Sequence, residues 1–283
     1  MSIADLALKE LDSVSDMEYW TNRRYDADGT GKAHKVEQGD YMKGDVLYCG
    51  KCNTPKFHYV GYGMDKYMRC VCKCEKDDLS AYNEKRKYKE DADRIRAYRK
   101  DGIPEGRLRD YTFANAEQND MYDVAKSYAD AFDLFYEDGT GLIFYGPCGT
   151  GKTFYAAAIA NELIDRMIPC KVTNFATISN ELQSETNKQA YIDSFKKYKL
   201  LVIDDFGVER DTTFMDEVVY QIVNARYETK KPIIVTTNLT RDELNHPNSS
   251  AKRIISRLCG MIPKNHRIEF VGDDRRTADA STV

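Results

Sequence analysis

The chain has 283 residues, of which 42% are hydrophobic and 31% are charged, with a formal net charge of −4 and an isoelectric point near 5.7. This length suits one large domain or two ordinary ones, and the hydrophobic content is enough for a folded core. No run of about 18 apolar residues is present, which argues against a membrane span. The acidic balance excludes a global basic field, so any DNA contact is expected from a local patch.

The amino-terminal sequence MSIADLALKELDSV carries acidic residues early and lacks the basic-then-apolar order of a signal peptide. We therefore expect a cytoplasmic protein, in which cysteines stay reduced and disulfides are rare. Five of the eight cysteines fall between residues 46 and 75. A reduced compartment makes metal binding the first interpretation to consider for this cluster.

The clustered cysteines form two close groups separated by 17 residues: Cys49-x2-Cys52 and Cys70-x-Cys72-x-Cys74. Two close pairs of thiolates are typical ligands of a tetrahedral zinc ion. The surrounding region is too small for a large core, so a bound metal would supply folding energy. Five thiols compete for four positions around the metal, and His58 is a weaker candidate ligand. The alternatives to a zinc site are free thiols, an iron–sulfur cluster or a redox pair. The remaining cysteines are scattered and are interpreted as core or loop residues: Cys148, Cys170 and Cys259.

A charged stretch follows from 77 to 100, and its spacing predicts a helix that ends at the Gly and Pro of residues 102–104. Residues 84–100 hold eight basic and four acidic side chains, with Tyr88 and Tyr98 among them. Such a surface could contact single-stranded DNA through phosphates and stacking. A solvated linker helix is the alternative, and it is the interpretation we favour.

After residue 140, short apolar stretches alternate with segments of helical composition. The predicted strands lie within 141–145, 170–176, 199–207, 232–239 and 266–271. The predicted helices lie within 152–167, 213–230 and 249–260. This alternation is typical of a parallel sheet that is covered by helices on both faces.

The first strand runs into a complete phosphate-loop pattern: Gly146, Pro147, Cys148, Gly149, Thr150, Gly151, Lys152, Thr153 and Phe154. Glycines let backbone N–H groups face phosphate oxygens, and the next helix offers its positive amino-terminal end. Lys152 would add charge near the β- and γ-phosphates of ATP, and the Thr153 hydroxyl would ligate Mg²⁺. A glycine-rich turn without a ligand is the alternative.

Acidic, amide and basic side chains follow the later elements in the order that a nucleotide site needs. Asp204 and Asp205 end a buried strand, where Asp204 would hold Mg²⁺ and Asp205 would orient or deprotonate an attacking water. Asn238 ends the next strand and could position water beside the γ-phosphate. Arg253 and Arg257 share one helix face and could stabilise charge on a phosphoryl group, often in a neighbouring subunit. The alternatives are ordinary strand-ending turns and a solvated basic face.

This order of motifs resembles the AAA+ ATPases. The stretches GPCGTGKTFYAAAIANEL, LLVIDDFG, IIVTTNL and RIISRL resemble bacterial and phage helicase loaders of the DnaC/DnaI type, which are grouped with the IstB-like ATPases. The lead-in GIPEGRLRDYTFANA is also similar, so the resemblance covers about residues 100–275. It implies an α/β fold, with an AAA+ P-loop parallel sheet flanked by helices, no full lid domain, and a small N-terminal cysteine-rich zinc-binding domain.

The resemblance also implies roles for single residues. Asn238 becomes sensor one, and Arg257 becomes the arginine finger that acts in trans, with Arg253 as its neighbour. Asp205 stands where many AAA+ proteins have Glu, so hydrolysis is expected to be slow and stimulated by DNA or a partner. A sensor-two arginine would be supplied by Arg275 or Arg276.

Phage-type loaders resemble the chain in a CGKC knuckle that is followed by a CKCE stretch. This resemblance implies a zinc site with Cys70 as the alternate and four expected ligands: Cys49, Cys52, Cys72 and Cys74. The domains are then 1–76 for zinc and helicase binding, 77–104 for the charged linker helix, and 105–283 for the ATPase.

The implied function is the loading of a hexameric replicative DNA helicase onto single-stranded DNA with Mg-ATP hydrolysis. Subunits would associate with one another through the ATP site. A transposition helper ATPase of the IstB type, which binds duplex DNA as filaments, is the first alternative. The second is a nucleotide-binding adaptor with little turnover, which Asp205 would favour.

Overall fold

The computed structural model of the chain describes residues 39–43, 46–61, 65–69, 71–207, 213–247 and 252–275. The chain divides into two compact units, Met1–Ala92 and Asp93–Val283. Within the described residues, no helix is both long enough and apolar enough to cross a membrane. Each unit is described by itself below.

The described part of the first unit contains a four-stranded antiparallel sheet in the order β1-β2-β3-β4. Its strands are β1 (Tyr41–Lys43), β2 (Val46–Tyr48), β3 (Pro55–Gly61) and β4 (Asp65–Arg69). The sequence analysis did not predict these strands. Strands β1 and β2 have only three residues, which is too few to show a periodicity.

Helix α1 (Lys73–Gly102) spans the charged stretch, and the division between the two units falls within it. The helix begins among the cysteines and ends before Ile103 and Pro104. Pro disfavours helical backbone in the residue that precedes it, which explains the end point. The helix predicted from the charged stretch is therefore present and extends four residues further at its start, from 77 back to 73.

The second unit is built on a five-stranded sheet in the order β6-β7-β8-β5-β9, and all neighbouring strands are parallel. The strands are β5 (Leu142–Tyr145), β6 (Cys170–Asn174), β7 (Leu200–Phe206), β8 (Ile233–Thr237) and β9 (Arg267–Glu269). The parallel sheet predicted from the sequence is confirmed, because each predicted strand segment contains one of these five strands. All five carboxyl ends therefore meet at one edge of the sheet.

Helices flank this sheet: α2 (Asp120–Asp130), α3 (Phe132–Asp138), α4 (Lys152–Asp165), α5 (Phe175–Ser184), α6 (Lys188–Ser194), α7 (Thr213–Glu228), α8 (Arg241–Asn245) and α9 (Lys252–Met261). Short 3₁₀ turns cover Arg107–Arg109, Phe113–Asn115, Phe195–Lys197 and Lys264–His266. The sequence analysis predicted α4, α7 and α9 but not α2, α3, α5, α6 or α8.

Two apolar clusters form the core, one on each face of the sheet. In β5, Ile143 and Tyr145 pack into one cluster, whereas Leu142 and Phe144 pack into the other. Because successive side chains of a strand point to opposite faces, burial of both faces requires a continuous apolar run. This requirement explains why β5, β7 and β8 could be recognised in the sequence.

The lead-in to the sheet is attached to α4 by a buried amide. The Asn161 side chain is 1% exposed, and its Nδ2 donates to the carbonyl oxygens of Leu108 at 2.8 Å and Tyr111 at 2.9 Å. Since buried backbone carbonyls require hydrogen-bond donors, Asn161 holds the lead-in against the helix that follows the phosphate loop.

A buried arginine closes the opposite edge of the sheet, where the strands begin. Arg226 lies in the last turn of α7 and is 1% exposed. Its guanidinium donates to four carbonyl oxygens, those of Phe195 (3.4 Å), Tyr198 (2.6 Å), Lys199 (2.9 Å) and Pro232 (2.7 Å). Burial lowers the pKa of Arg226 to about 10, so the group stays charged at neutral pH. One side chain thus joins the segments that lead into β7 and β8.

We predict that Arg226→Met lowers the free energy of unfolding by about 3 kcal/mol, because several buried carbonyls lose their donor. Urea unfolding followed by circular dichroism measures this loss. The matched control is Arg96→Met, which removes an arginine that is 58% exposed and should change stability little. Equal unfolding midpoints for the two variants would contradict the structural role of Arg226.

Candidate functional site

The phosphate loop connects β5 to α4 and is shaped by left-handed glycines. Gly146, Gly149 and Gly151 have φ values of 126°, 76° and 99°, which side chains with a Cβ rarely adopt. Lys152 is 5% exposed, and its Nζ donates to the carbonyl oxygens of Gly146 at 2.8 Å and Pro147 at 2.6 Å. The ammonium group is therefore held within the loop, where a nucleotide phosphate would meet it.

The carboxylate of Asp204 is held between two hydroxyl groups. Its Oδ1 accepts hydrogen bonds from Thr153 Oγ1 at 2.8 Å and from Thr236 Oγ1 at 2.6 Å. Burial raises the pKa of Asp204, and these two hydrogen bonds and the charge of Lys152 act in the opposite direction. A threonine hydroxyl and a carboxylate are hard oxygen ligands of the kind that Mg²⁺ prefers, so these residues fit a magnesium site.

Asp205 follows in a bulge of β7. The register with β8 shifts between Ile203 and Phe206, and Asp205 has a φ of 55°. Its backbone N–H donates to Thr236 Oγ1 at 2.9 Å. The bulge turns Asp205 into an exposed position while Asp204 stays beside the phosphate loop.

Asn238 lies directly after β8 and is half-buried. The preceding Thr237 is bound through its hydroxyl, which donates to the carbonyl oxygen of Phe206 at 2.6 Å and accepts from the N–H of Leu239 at 3.1 Å. These bonds attach the segment that carries Asn238 to the end of β7, next to the two aspartates.

The two arginines of α9 pack against α7. Arg257 Nε donates to Asn224 Oδ1 at 2.9 Å, and its Nη2 donates to the hydroxyl of Tyr220 at 3.4 Å. Arg253 lies 4.0 Å from the centre of the Tyr220 ring and forms an ion pair with Glu217 at 3.3 Å. Arg253 and Arg257 therefore lie on the same face of α9, as their spacing predicts. Side chains of α7 orient both guanidinium groups.

The segment after β9 crosses the phosphate loop. The Arg275 N–H donates to the carbonyl oxygen of Gly149 at 3.1 Å, and the Arg275 guanidinium pairs with Glu117 at 3.0 Å. Asp274 lies against Gly149, where a Cβ would approach its Oδ1 to 1.9 Å. Gly149 thus leaves room for the Asp274 side chain. Arg276, the other predicted sensor-two arginine, lies outside the described residues.

In the first unit, the structure brings four cysteines together: Cys49, Cys52, Cys72 and Cys74. Their sulfur atoms all lie within 4.8 Å of one another, with separations of 3.5 Å for Cys49–Cys74 and 3.3 Å for Cys72–Cys74. Zinc–sulfur bonds of about 2.3 Å in a tetrahedron place sulfurs about 3.8 Å apart. The four sulfur positions therefore fit a zinc ion.

Thr54 connects the two halves of this cluster. Its hydroxyl lies 3.0 Å from Cys52 Sγ and accepts from the Lys73 N–H at 2.9 Å, at the start of α1. The hydrogen bond with Thr54 is the main cause that lowers the pKa of Cys52 to about 5. Burial raises the pKa of Cys72, and hydrogen bonds with Cys72 and Cys49 raise that of Cys74. Four thiolates at this distance repel one another, so a cation is needed for all four to be ionised.

The sequence profile of the family described as "IstB-like ATP binding protein" matches residues 81–280 of the chain. The chain belongs to this family. The match covers the phosphate loop, both aspartates, Asn238 and the arginines of α9. The predicted membership in the IstB-like ATPases is confirmed.

The chain is similar over part of its length to curated proteins that include two named helicase loaders. It is 34% identical to "Replicative helicase loader DnaI" of Bacillus subtilis (strain 168) over 120 residues, 41% of this chain and 38% of that protein. It is 31% identical to "Replicative helicase loader DnaC" of Escherichia coli (strain K12) over 125 residues, 42% of this chain and 50% of that protein. The chain thus spans half or less of the length of these curated relatives.

A solved structure supports the fold. The crystal structure of DnaI superposes with a TM-score of 0.51 at 27% identity and covers 62% of this chain and 96% of that chain. The predicted fold class, a parallel P-loop sheet of the AAA+ type flanked by helices, is therefore confirmed.

The structure collects most of the predicted site residues of this IstB-like protein at one edge of the sheet, and it places the others as follows. Pro147 and Cys148 are exposed on the phosphate loop, and Thr150 bonds the carbonyl oxygen of Pro147 at 2.9 Å. Phe154 turns toward the lead-in, with its ring 4.9 Å from that of Tyr111. Cys70 and the side chain of His58 lie outside the part of the chain that is described.

Sequence reasoning missed four residues that shape these sites: Thr236, Tyr220, Asn224 and Asp274. Thr236 had a usable signal, because it stands two residues before Asn238 at the end of a predicted strand next to the Asp204 strand. The contacts of the other three depend on helix packing or on a chain segment that returns to the loop, which periodicity does not report.

We predict that the purified chain contains one zinc ion, and that Cys49→Ser and Cys74→Ser each remove it, because a serine hydroxyl is a poor substitute for a thiolate ligand. Metal analysis by mass spectrometry measures the content. Cys70→Ser should keep the zinc if the four clustered sulfurs are the ligands, and Cys148→Ser, in the phosphate loop, is the matched control. Zinc that persists in Cys49→Ser, or is lost in Cys70→Ser, would contradict this ligand set.

Proposed function

We propose that this protein is an ATP-dependent loader of a replicative DNA helicase. The observation that carries the proposal is the similarity of part of the chain to DnaI and DnaC, both of which are named replicative helicase loaders. The proposal is supported by the complete order of phosphate loop, paired aspartates and strand-ending Asn238 at one sheet edge. It is also supported by a separate cysteine unit that could serve as a partner-binding module.

The phosphate loop would bind ATP through its inward-facing backbone N–H groups and the Lys152 ammonium. Mg²⁺, when bound, would neutralise charge on the β- and γ-phosphates. Thr153 and Asp204 would hold this ion, and Thr236 would keep the Asp204 carboxylate oriented. Because Thr153 and Asp204 already lie 2.8 Å apart, little rearrangement is needed to form the site.

Hydrolysis would depend on Asp205, Asn238 and an arginine from a second copy of the chain. Asp205 would orient the attacking water, and its shorter side chain compared with Glu favours slow turnover. Asn238 would sense the γ-phosphate. Arg257, held by Asn224 and Tyr220, would reach the nucleotide of the neighbouring subunit, so ATP would also govern self-association.

The amino-terminal zinc unit, proposed as residues 1–76, would bind the hexameric helicase. The charged helix, proposed as 77–104, would link it to the ATPase of 105–283. ATP state would then switch the grip on helicase and single-stranded DNA. The family description "IstB-like ATP binding protein" keeps a transposition helper as the second candidate, and duplex-dependent filaments would distinguish it.

We predict that Arg257→Ala keeps ATP binding but lowers the turnover by about 10³-fold, since trans-acting arginines contribute on this scale. The test combines the Arg257→Ala variant with a Lys152→Ala variant in one assay. The Lys152→Ala variant lacks the ammonium group that would bind phosphate. Neither variant should hydrolyse ATP alone, but the mixture should regain part of the activity, because one subunit supplies the loop and the other supplies the arginine. Phosphate release measures the turnover.

The matched control is Lys252→Ala, which removes an exposed cation from the same helix and should leave the turnover unchanged. Unchanged turnover in Arg257→Ala would contradict the finger assignment. A mixture that stays inactive would contradict its action in trans.

We predict that the full chain forms a discrete complex with a hexameric replicative helicase, which native mass spectrometry with and without ATP would detect. Deletion of residues 1–75 should abolish the complex yet spare ATP binding, because the two functions lie in separate units. A truncated chain that still binds helicase would refute the role of the zinc unit. Absence of any complex, together with ATP-dependent assembly on duplex DNA, would favour the transposition helper.

A further inference from the structure

A small pocket lies beside the nucleotide elements, on the sheet face that α7, α8 and α9 cover. It has a volume of about 90 Å³ and is lined by Tyr145, Arg241, Leu244, Asn245, Lys264 and Arg267. A water molecule occupies about 30 Å³ in the liquid, so the pocket has room for a group larger than a single water. None of the predicted nucleotide or zinc ligands lines it.

The lining carries three cations and no carboxylate. Arg241 and Lys264 are exposed, and across the described residues neither side chain makes a hydrogen bond or an ion pair. The Tyr145 hydroxyl donates to the carboxylate of Glu269 at 3.3 Å, and Asp242 and Glu243 follow Arg241 in α8. The lining itself therefore carries an excess of positive charge, in a chain whose net charge is −4.

The third cation is fixed in place. Arg267 donates through Nε and Nη2 to the carbonyl oxygen of Ile262 at 3.1 and 3.0 Å, and through Nη2 to that of Cys259 at 3.3 Å. These bonds hold the guanidinium against the end of α9. Leu244 is buried beneath the pocket and anchors α8, which begins at Arg241. Arg267 is thus preorganised, which lowers the entropic cost of binding an anion beside it.

We propose that this pocket binds a phosphodiester group of single-stranded nucleic acid. Converging arginine and lysine side chains are the usual ligands of backbone phosphates. Two of the three cations are exposed, which suits a phosphate on a strand that passes over the surface. The inference rests on the proposed loader function, because it names the place where that function would contact DNA.

The position of the pocket also connects it to the nucleotide. Tyr145 directly precedes Gly146 of the phosphate loop, and Arg241 follows Asn238 by three residues. A bound phosphate would contact both chain segments that lead to the ATP site.

The test compares full-length Arg241→Gln and Lys264→Gln with the wild type by fluorescence anisotropy of labelled oligo(dT) over a series of salt concentrations. Each lost phosphate contact should lower the slope of log affinity against log salt by about 0.7 and weaken binding at low salt. The matched control is Lys230→Asn, at the opposite edge of the sheet, where Asn retains the left-handed φ of 51°. The control should keep the wild-type slope.

ATP binding and the helicase complex are measured on the same preparations and should not change. The inference would be overturned by salt slopes that stay unchanged in Arg241→Gln and Lys264→Gln. It would also be overturned if Lys230→Asn lost as much affinity for oligo(dT) as these variants, or if the wild type did not bind oligo(dT). Displacement of oligo(dT) by inorganic phosphate at equal phosphate concentration would assign the pocket to free phosphate and overturn it as well. If the wild-type protein forms no complex with the helicase, that result would count against the proposed function instead.

Discussion

The nucleotide site depends on one half-buried carboxylate. Asp204 loses solvation at the end of β7, which raises its pKa, and it is held by the hydroxyls of Thr153 and Thr236. These three residues come from the helix after the phosphate loop and from two neighbouring strands. The Asp204 carboxylate therefore sets the spacing between the phosphate loop, the bulge that exposes Asp205 and the strand that leads to Asn238.

Different interactions stabilise the two units. The second unit buries both faces of a five-stranded sheet, and the buried guanidinium of Arg226 closes the edge where the strands begin. The first unit has short strands and a cluster of four sulfurs, so a metal ion would supply what its small core cannot. Loss of a bound metal should therefore destabilise the first unit more than the second.

Much of the ATPase fold could be predicted from particular segments. Strands β5, β7 and β8 contain continuous apolar runs because both faces are buried there, and the glycines of the phosphate loop mark positions that require left-handed backbone. The strands of the first unit, with as few as three residues, show no such pattern. Helices α2, α3, α5, α6 and α8 were missed as well. Of these, α3, α6 and α8 have seven residues or fewer and are too short for a clear periodic signal, whereas α2 and α5 are amphipathic and their spacing was a usable signal.

By itself, the sequence determined the residue types and their order: a phosphate loop, paired aspartates, a strand-ending amide, two arginines one helical turn apart, and cysteines spaced for a metal. Local spacing is enough for these features because each depends on neighbouring residues. Tertiary structure alone decided that Thr236 shares Asp204 with Thr153, and that Asn224 holds Arg257. It also decided that distant cations converge on one pocket. The physical reason is that strand order and helix packing join residues far apart in the chain, and no local pattern encodes those contacts.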